Sequence, residues 1–265
     1  MRSPGEAHGP SSSPRLSVVL PVFRGEGFIR RSLEDLLSWL SRSGTSFEIV
    51  AVDDASGDGT AAAIEGMRAL RPGAIRLLRN ERNMGKGASV RKGMLAAEGL
   101  FRLTMDCDLP YGLDTVGQML RMLEAGADVA IASRVHPESR YVISPRMFSK
   151  LVTRHWVSRL GNRIIRLVVP GVYDTQAGLK GFSREAAVHI FSRQRLNRFS
   201  FDPEVLRIAQ VAGFRIVEVP VVFHYESELT TVEFASDSFR MIRDLIRIKL
   251  WERQGTWKRE RPGSS

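Results

Sequence analysis

Short apolar, β-prone runs alternate with helical patterns through the first half of this 265-residue chain. Leu16 to Phe23, Phe47 to Val52, Ile75 to Leu78, Phe101 to Met105 and Asp128 to Ala132 have the length and side-chain types of strands. Between them, helices are expected over Phe28 to Leu40, from the turn at Ala55 to Gly59 on to Leu70, over Lys86 to Ala97 and over Leu113 to Glu124. The first carries Ile29, Leu33, Leu36, Leu37 and Leu40 on one face. Alternation of this kind predicts an α/β fold, a mainly parallel central sheet with helices on both faces.

In such sheets ligands bind beyond the carboxyl ends of the strands. The polar punctuation of this chain falls there: Pro21 to Phe23, Asp53-Asp54, Asn83 to Gly87, Asp106-Cys107-Asp108 and Ser133-Arg134. Asp53 can accept hydrogen bonds from a base or ribose. Gly85 and Gly87 permit close backbone approach, and Lys86 starts a helix, where amide groups and the dipole favour phosphate. Asp106 and Asp108, two apart in an extended segment, point the same way and suit a hard cation, Mg²⁺ or Mn²⁺. Arg134 can fork onto a phosphate. The set fits a nucleoside diphosphate with its metal. A Walker A loop and a Gly-x-Gly-x-x-Gly motif are both missing, which argues against a P-loop ATPase or a Rossmann dehydrogenase.

Composition narrows the partners. Lys plus Arg number 39 against 29 Asp plus Glu, a net charge of +10, which implies a polyanionic partner. The basic residues lie on apolar helical stretches without an aromatic stacking platform, so nucleic acid is not expected. The single cysteine, Cys107, precludes an internal disulfide and fits a reducing compartment. No run reaches the roughly 18 to 20 apolar residues of a membrane span. Residues 1–14 read as a disordered Ser/Pro/Gly arm, 15–232 as the catalytic domain, 233–251 as an amphipathic helix and 252–265 as a disordered tail.

Several stretches are specific enough for a family. Val19-Leu-Pro-Val-Phe23, Val52 to Thr60, Asn83-Met-Gly-Lys-Gly-Ala88 with Gly93, and Asp106-Cys-Asp108 resemble, in order and spacing, the GT-A glycosyltransferases of family 2. Ala132-Ser-Arg134, Asp174 to Lys180 with Phe182, and Phe201-Asp-Pro-Glu204 look like the polyprenyl-phosphate glycosyltransferases, the dolichyl-phosphate β-glucosyltransferase and dolichol-phosphate mannose synthase group. The resemblance implies a GT-A fold and inverting transfer of a sugar from a nucleoside diphosphate to a lipid phosphate. The donor would be UDP-glucose first, GDP-mannose second. It implies nucleotide contacts at Pro21, Phe23, Val52, Asp53, Lys86, Asp106 and Cys107, metal ligation by Asp106 and Asp108, and Arg134 near the phosphates. Asp174, Gln176, Asp202 and Glu204 are candidates for orienting the sugar or the arginines. The family usually shows Asn-Glu after Pro-x-Tyr; this chain has Arg24-Gly25-Glu26, with Glu26 as the candidate substitute acid. The alternatives are a family 2 transferase with a soluble sugar or protein acceptor and a catalytically weak nucleotide-binding scaffold.

Pro145 to Val169 is basic and amphipathic, with stripes Arg146, Lys150, Arg154 and Arg159, Arg163, Arg166 out of phase. The pattern predicts a break near Gly161-Asn162 and helices lying in an anionic bilayer surface. Arg140, Arg146 and Lys150 are candidate partners for the acceptor phosphate. Ser236 to Trp251 repeats the pattern, with Phe239, Ile242, Leu245, Ile246 and Trp251 set against Arg240, Arg243, Arg247 and Lys249. The expected location is peripheral, at the cytoplasmic face of a membrane. Gly178 to Phe182 and Phe214 to Phe223 read as further strands, the latter an edge strand because of Pro220.

Overall fold

A computed structural model describes residues 13–143, 164–225 and 234–257. Arg146, Lys150 and most of the basic 145–169 segment lie outside them. The strands are β1 (Leu16–Val22), β2 (Phe47–Asp53), β3 (Ile75–Arg79), β4 (Phe101–Thr104), β5 (Val129–Ser133), β6 (Arg140–Ile143), β7 (Lys180–Ser183), β8 (Ile216–Pro220) and β9 (Val222–Tyr225). The helices are α1 (Ile29–Arg42), α2 (Thr60–Leu70), α3 (Lys86–Ala96), α4 (Asp114–Glu124), α5 (Arg184–Arg193), α6 (Phe201–Val211) and α7 (Phe234–Arg253).

The main sheet runs β3-β2-β1-β4-β7-β5-β8. Its strands are parallel except β7, which inserts antiparallel between β4 and β5. Because β7 runs the other way, its beginning lies where its neighbours end: Thr104 of β4 and Ile131 of β5 both pair with Lys180. The loop that enters β7 therefore joins the carboxyl edge. β8 occupies the sheet edge, as Pro220 requires. The reading of Phe214 to Phe223 as one strand needs correction. Val221 separates β8, which ends at Pro220, from β9, which pairs with β6 in a small second sheet.

Two apolar layers cover the sheet. One joins Leu33, Leu36 and Leu40 of α1 with Leu20 and Ile49; the other joins α3, α5 and α6 to Val19, Val52 and Phe182. All five apolar positions expected on α1 are buried. Gly93 lets α3 approach the sheet closely, since a Cβ there would lie 2.3 Å from Val19 Cγ1. Two terminal expectations change. α7 buries Leu245 and Ile248 in the main core, whereas Ile242 and Ile246 face outward with Leu250. The expected disordered tail is ordered through Trp257, which is buried and meets Trp251 edge-on at 6.3 Å. A tryptophan that finds an apolar niche outweighs the polar character of its neighbours.

Candidate active site

The strand ends converge on one edge, and their backbones are strained there. Arg24, Ala55 and Leu109, which follow β1, β2 and the aspartate pair, adopt φ of 53°, 57° and 51°. Non-glycine residues enter this left-handed region at a cost of about 1–2 kcal/mol each, and such strain gathers at ligand sites.

The two aspartates ending the second strand divide their work. Asp54 accepts from Asn80 Nδ2 at 2.7 Å and from the amides of Met84 and Gly85, both at 2.8 Å, so it clamps the loop entering α3. Asp53 is fully buried. Its Oδ1 accepts from the Ser56 amide at 3.1 Å, and its Oδ2 lacks a hydrogen-bond partner, although Arg79 Nε stands 3.4 Å away. A buried carboxylate oxygen left this way is costly, and a base or ribose donor would satisfy it. Phe23 is 40% exposed, with the Arg24 guanidinium 5.2 Å from its ring. The Val52 side chain is buried against Gly93 of α3. Pro21 is half-buried, while Glu26 is exposed, its carboxylate against Gly59.

Lys86 starts α3 after Gly85, whose φ is 94°. Its Nζ donates to Asp106 Oδ1 at 2.5 Å. Burial opposes the Lys86 charge, but Asp106 and Asp202 outweigh it and raise the pKa. Burial likewise works to raise Asp106, yet Lys86, Lys180 and Arg134 hold it below the usual carboxylate range. Asp106 Oδ2 lies against Gly178, where any Cβ would come within 1.8 Å. Asp108 is exposed at the rim, and its carboxyl is pushed up by burial of its surroundings and by the Asp106 charge. Cys107 has its thiol pushed up to about 12 by burial and the flanking carboxylates, so it is a poor nucleophile.

The remaining charges form two protein-made pairs. Arg134 forks onto Asp174, Nε to Oδ2 and Nη2 to Oδ1, each 2.8 Å, and its amide also donates to Oδ2. These bonds hold Asp174 in its charged form against burial. Lys180, 1% exposed within β7, donates to Asp202 Oδ1 and to the Ala177 carbonyl, both at 2.5 Å. Lys180 and Tyr111, whose hydroxyl accepts from the Gly178 amide at 2.8 Å, escaped the sequence reading as site residues. A lysine between Leu179 and Phe182 in a strand-length run was the available signal for the first. Gln176 and Arg140 are exposed, the latter on β6. Glu204 sits apart, with both oxygens accepting amides of the α5–α6 connection, Arg195 at 2.9 Å and Leu196 at 2.8 Å; burial raises it to about 7.

Among the described residues no group of three or more Asp, Glu, His or Cys could hold a metal ion unaided. The donor set still fits a divalent cation. Two carboxylates of which one is destabilised by the other are relieved by positive charge, and phosphate oxygens and water complete a Mg²⁺-type shell.

Comparisons with known proteins agree with this geometry. The family model "Glycosyl transferase family 2" matches residues 17–191. A dolichyl-phosphate β-glucosyltransferase of Dictyostelium discoideum is 29% identical over 263 residues, covering 96% of this chain and 79% of that protein. One from Trichomonas vaginalis is 30% identical over 253 residues, covering 90% and 72%. The glucosyl-3-phosphoglycerate synthase of Mycobacterium tuberculosis, solved with Mn²⁺, UDP and glucosyl-3-phosphoglycerate, shares the fold with a TM-score of 0.61 at 17% identity, covering 92% of this chain and 86% of that one. The chain is a glycosyltransferase of the GT-A fold, and it belongs to glycosyl transferase family 2.

Proposed function

We propose that this enzyme transfers glucose from UDP-glucose to a polyprenyl phosphate at an anionic membrane surface. The observation that carries the reading is the strand-end cluster: a buried Asp53 oxygen without a hydrogen-bond partner, the Asp106–Asp108 pair, and the cations Lys86 and Arg134 beside them. Asp53 Oδ2 accepts a donor from the nucleoside. Asp106 and Asp108 would hold Mg²⁺ or Mn²⁺, which when bound stabilises negative charge on the departing diphosphate. Lys86 and Arg134 set positive charge where two anionic reactants must meet, and Asp174 fixes the orientation of Arg134. The acceptor phosphate is already anionic at neutral pH, so no general base is required. Its oxygen bonds to the anomeric carbon as the bond to the nucleoside diphosphate breaks, which inverts that centre. The similarity to dolichyl-phosphate β-glucosyltransferases along most of the chain supports the lipid acceptor and the glucosyl donor.

The membrane part of the reading rests on α7. Its outward stripe of Ile242, Ile246 and Leu250 is about half exposed and borders Arg243 and Arg247, the chemistry of a helix resting on anionic lipid. No helix among the described residues is long and apolar enough to cross a bilayer. The test is transfer from labelled nucleotide sugars into an organic-extractable product, with and without polyprenyl phosphate and with Mg²⁺ or Mn²⁺. Label from UDP-glucose in the lipid phase is expected. Label from GDP-mannose alone would replace the donor, and donor consumed only with a water-soluble acceptor would overturn the lipid reading.

A further inference from the structure

We infer that Glu218 is a positioning residue for the transfer reaction: it fixes the backbone at Asp174 and so aims the Arg134 guanidinium. The inference rests on the reading of the strand-end cluster as a sugar-transfer site. Glu218 lies on the edge strand β8, opposite Ile131 of β5. Its Oε2 accepts from the Tyr173 amide and its Oε1 from the Asp174 amide, each at 3.0 Å. One carboxylate thus grips two consecutive peptide groups, while the Asp174 side chain, turned the other way, takes the fork of Arg134. Arg134 follows the end of β5, the strand to which β8 pairs. Edge strand, loop and guanidinium form one chain of charge-assisted hydrogen bonds.

The gripped loop is anchored in the core by Val172 and Ala177 and borders a cavity on one side. Behind residues 171 and 172 is a cavity of about 450 Å³, lined by Gly171, Val172, Gln210, Phe214, Ile216 and Glu218 itself. Gln210 Nε2 holds the Pro170 carbonyl at 2.6 Å on one side of the stretch, and Tyr111 holds Gly178 on the other. The Glu218 bonds lie between those braces. Gly171 adopts a φ of 76°, so the loop turns sharply just before the gripped residues. An arrangement of that kind acts on orientation, and a misplacement of about 1 Å at a reacting centre costs about a hundredfold in rate.

Glu218→Ala and Glu218→Gln test the inference through two readouts. The first is hydrogen exchange at the Arg134 Nε–H, followed by NMR and assigned by its loss in Arg134→Lys. Exchange in Glu218→Ala should rise at least about tenfold, with an intermediate value in Glu218→Gln, which keeps one acceptor. The second is kinetic: kcat for sugar transfer should fall about 10- to 100-fold in Glu218→Ala while the donor KM stays within about twofold. UDP affinity measured calorimetrically should also hold, because Asp53 ends β2 and Lys86 starts α3, away from β8. Unchanged Arg134 exchange in a folded Glu218→Ala overturns the inference. Equal damage to UDP affinity and kcat overturns it too, since that is general loosening of the fold. If the unmodified enzyme labels no lipid, the proposed function fails, and the exchange measurement still decides the role of Glu218.

Discussion

The two sides of the cleft are built on different principles. On the β1–β2–β4 side, polar groups are left for a ligand to complete: Asp53 Oδ2 is buried without a hydrogen-bond partner, and the Asp108 carboxyl is pushed up by burial and by the Asp106 charge. On the β5–β7–β8 side, charges are matched within the protein: Arg134 with Asp174, Lys180 with Asp202, and Glu218 with two amides. Incomplete groups gain affinity when a nucleotide arrives, whereas completed ones hold geometry while charge moves. The first side is therefore read as binding and the second as orientation. Strained non-glycine residues at positions 24, 55 and 109 all fall on the open side.

Breaking a completed pair should have the largest effect, and on stability. Lys180→Met leaves Asp202 buried and unpaired, a loss of about 3–5 kcal/mol in urea denaturation; a loss below about 1 kcal/mol would remove Lys180 from the scaffold. Glu204 comes next. Its folded pKa, about 7, is raised above its ordinary 4.5. The stability it contributes is complete below the ordinary value and disappears as pH rises through 7. Over that window the fold should weaken by about 3 kcal/mol, and Glu204→Gln should flatten the slope in thermal melts. On the open side, Asp53→Ala should raise the donor KM about tenfold, with a smaller stability cost of about 1 kcal/mol in urea from the lost Ser56 hydrogen bond and Arg79 ion pair. A stability loss without a KM change would erase the contrast between the two sides.

What the sequence disclosed follows the same division. The parallel strands, their helices and the open-side residues are local patterns, an apolar run followed by polar punctuation, and they were read within a few residues. The completed side depends on pairing across long separations. β7 falls within two residues of the strand expected over Gly178 to Phe182, but nothing in its four residues announces that it inserts antiparallel between β4 and β5. Glu218 alternates with Val217 and Val219 as any surface strand residue would, and only the folded loop shows what it grips. Val52 and Glu204 mark the opposite limit. A motif position places a residue near a site, but burial against α3 and a pair of loop amides decides where each side chain points.

On the proposed function, the open side becomes a metal–nucleotide site through Asp108. Mn²⁺ binding in the presence of UDP, followed by electron paramagnetic resonance, tests it most directly. The unmodified enzyme should hold the ion only when UDP is present, because two carboxylates need phosphate oxygens to complete the shell. Asp108→Ala should weaken that binding at least about a hundredfold, with its circular dichroism unchanged. Mn²⁺ bound equally well by Asp108→Ala would contradict the account.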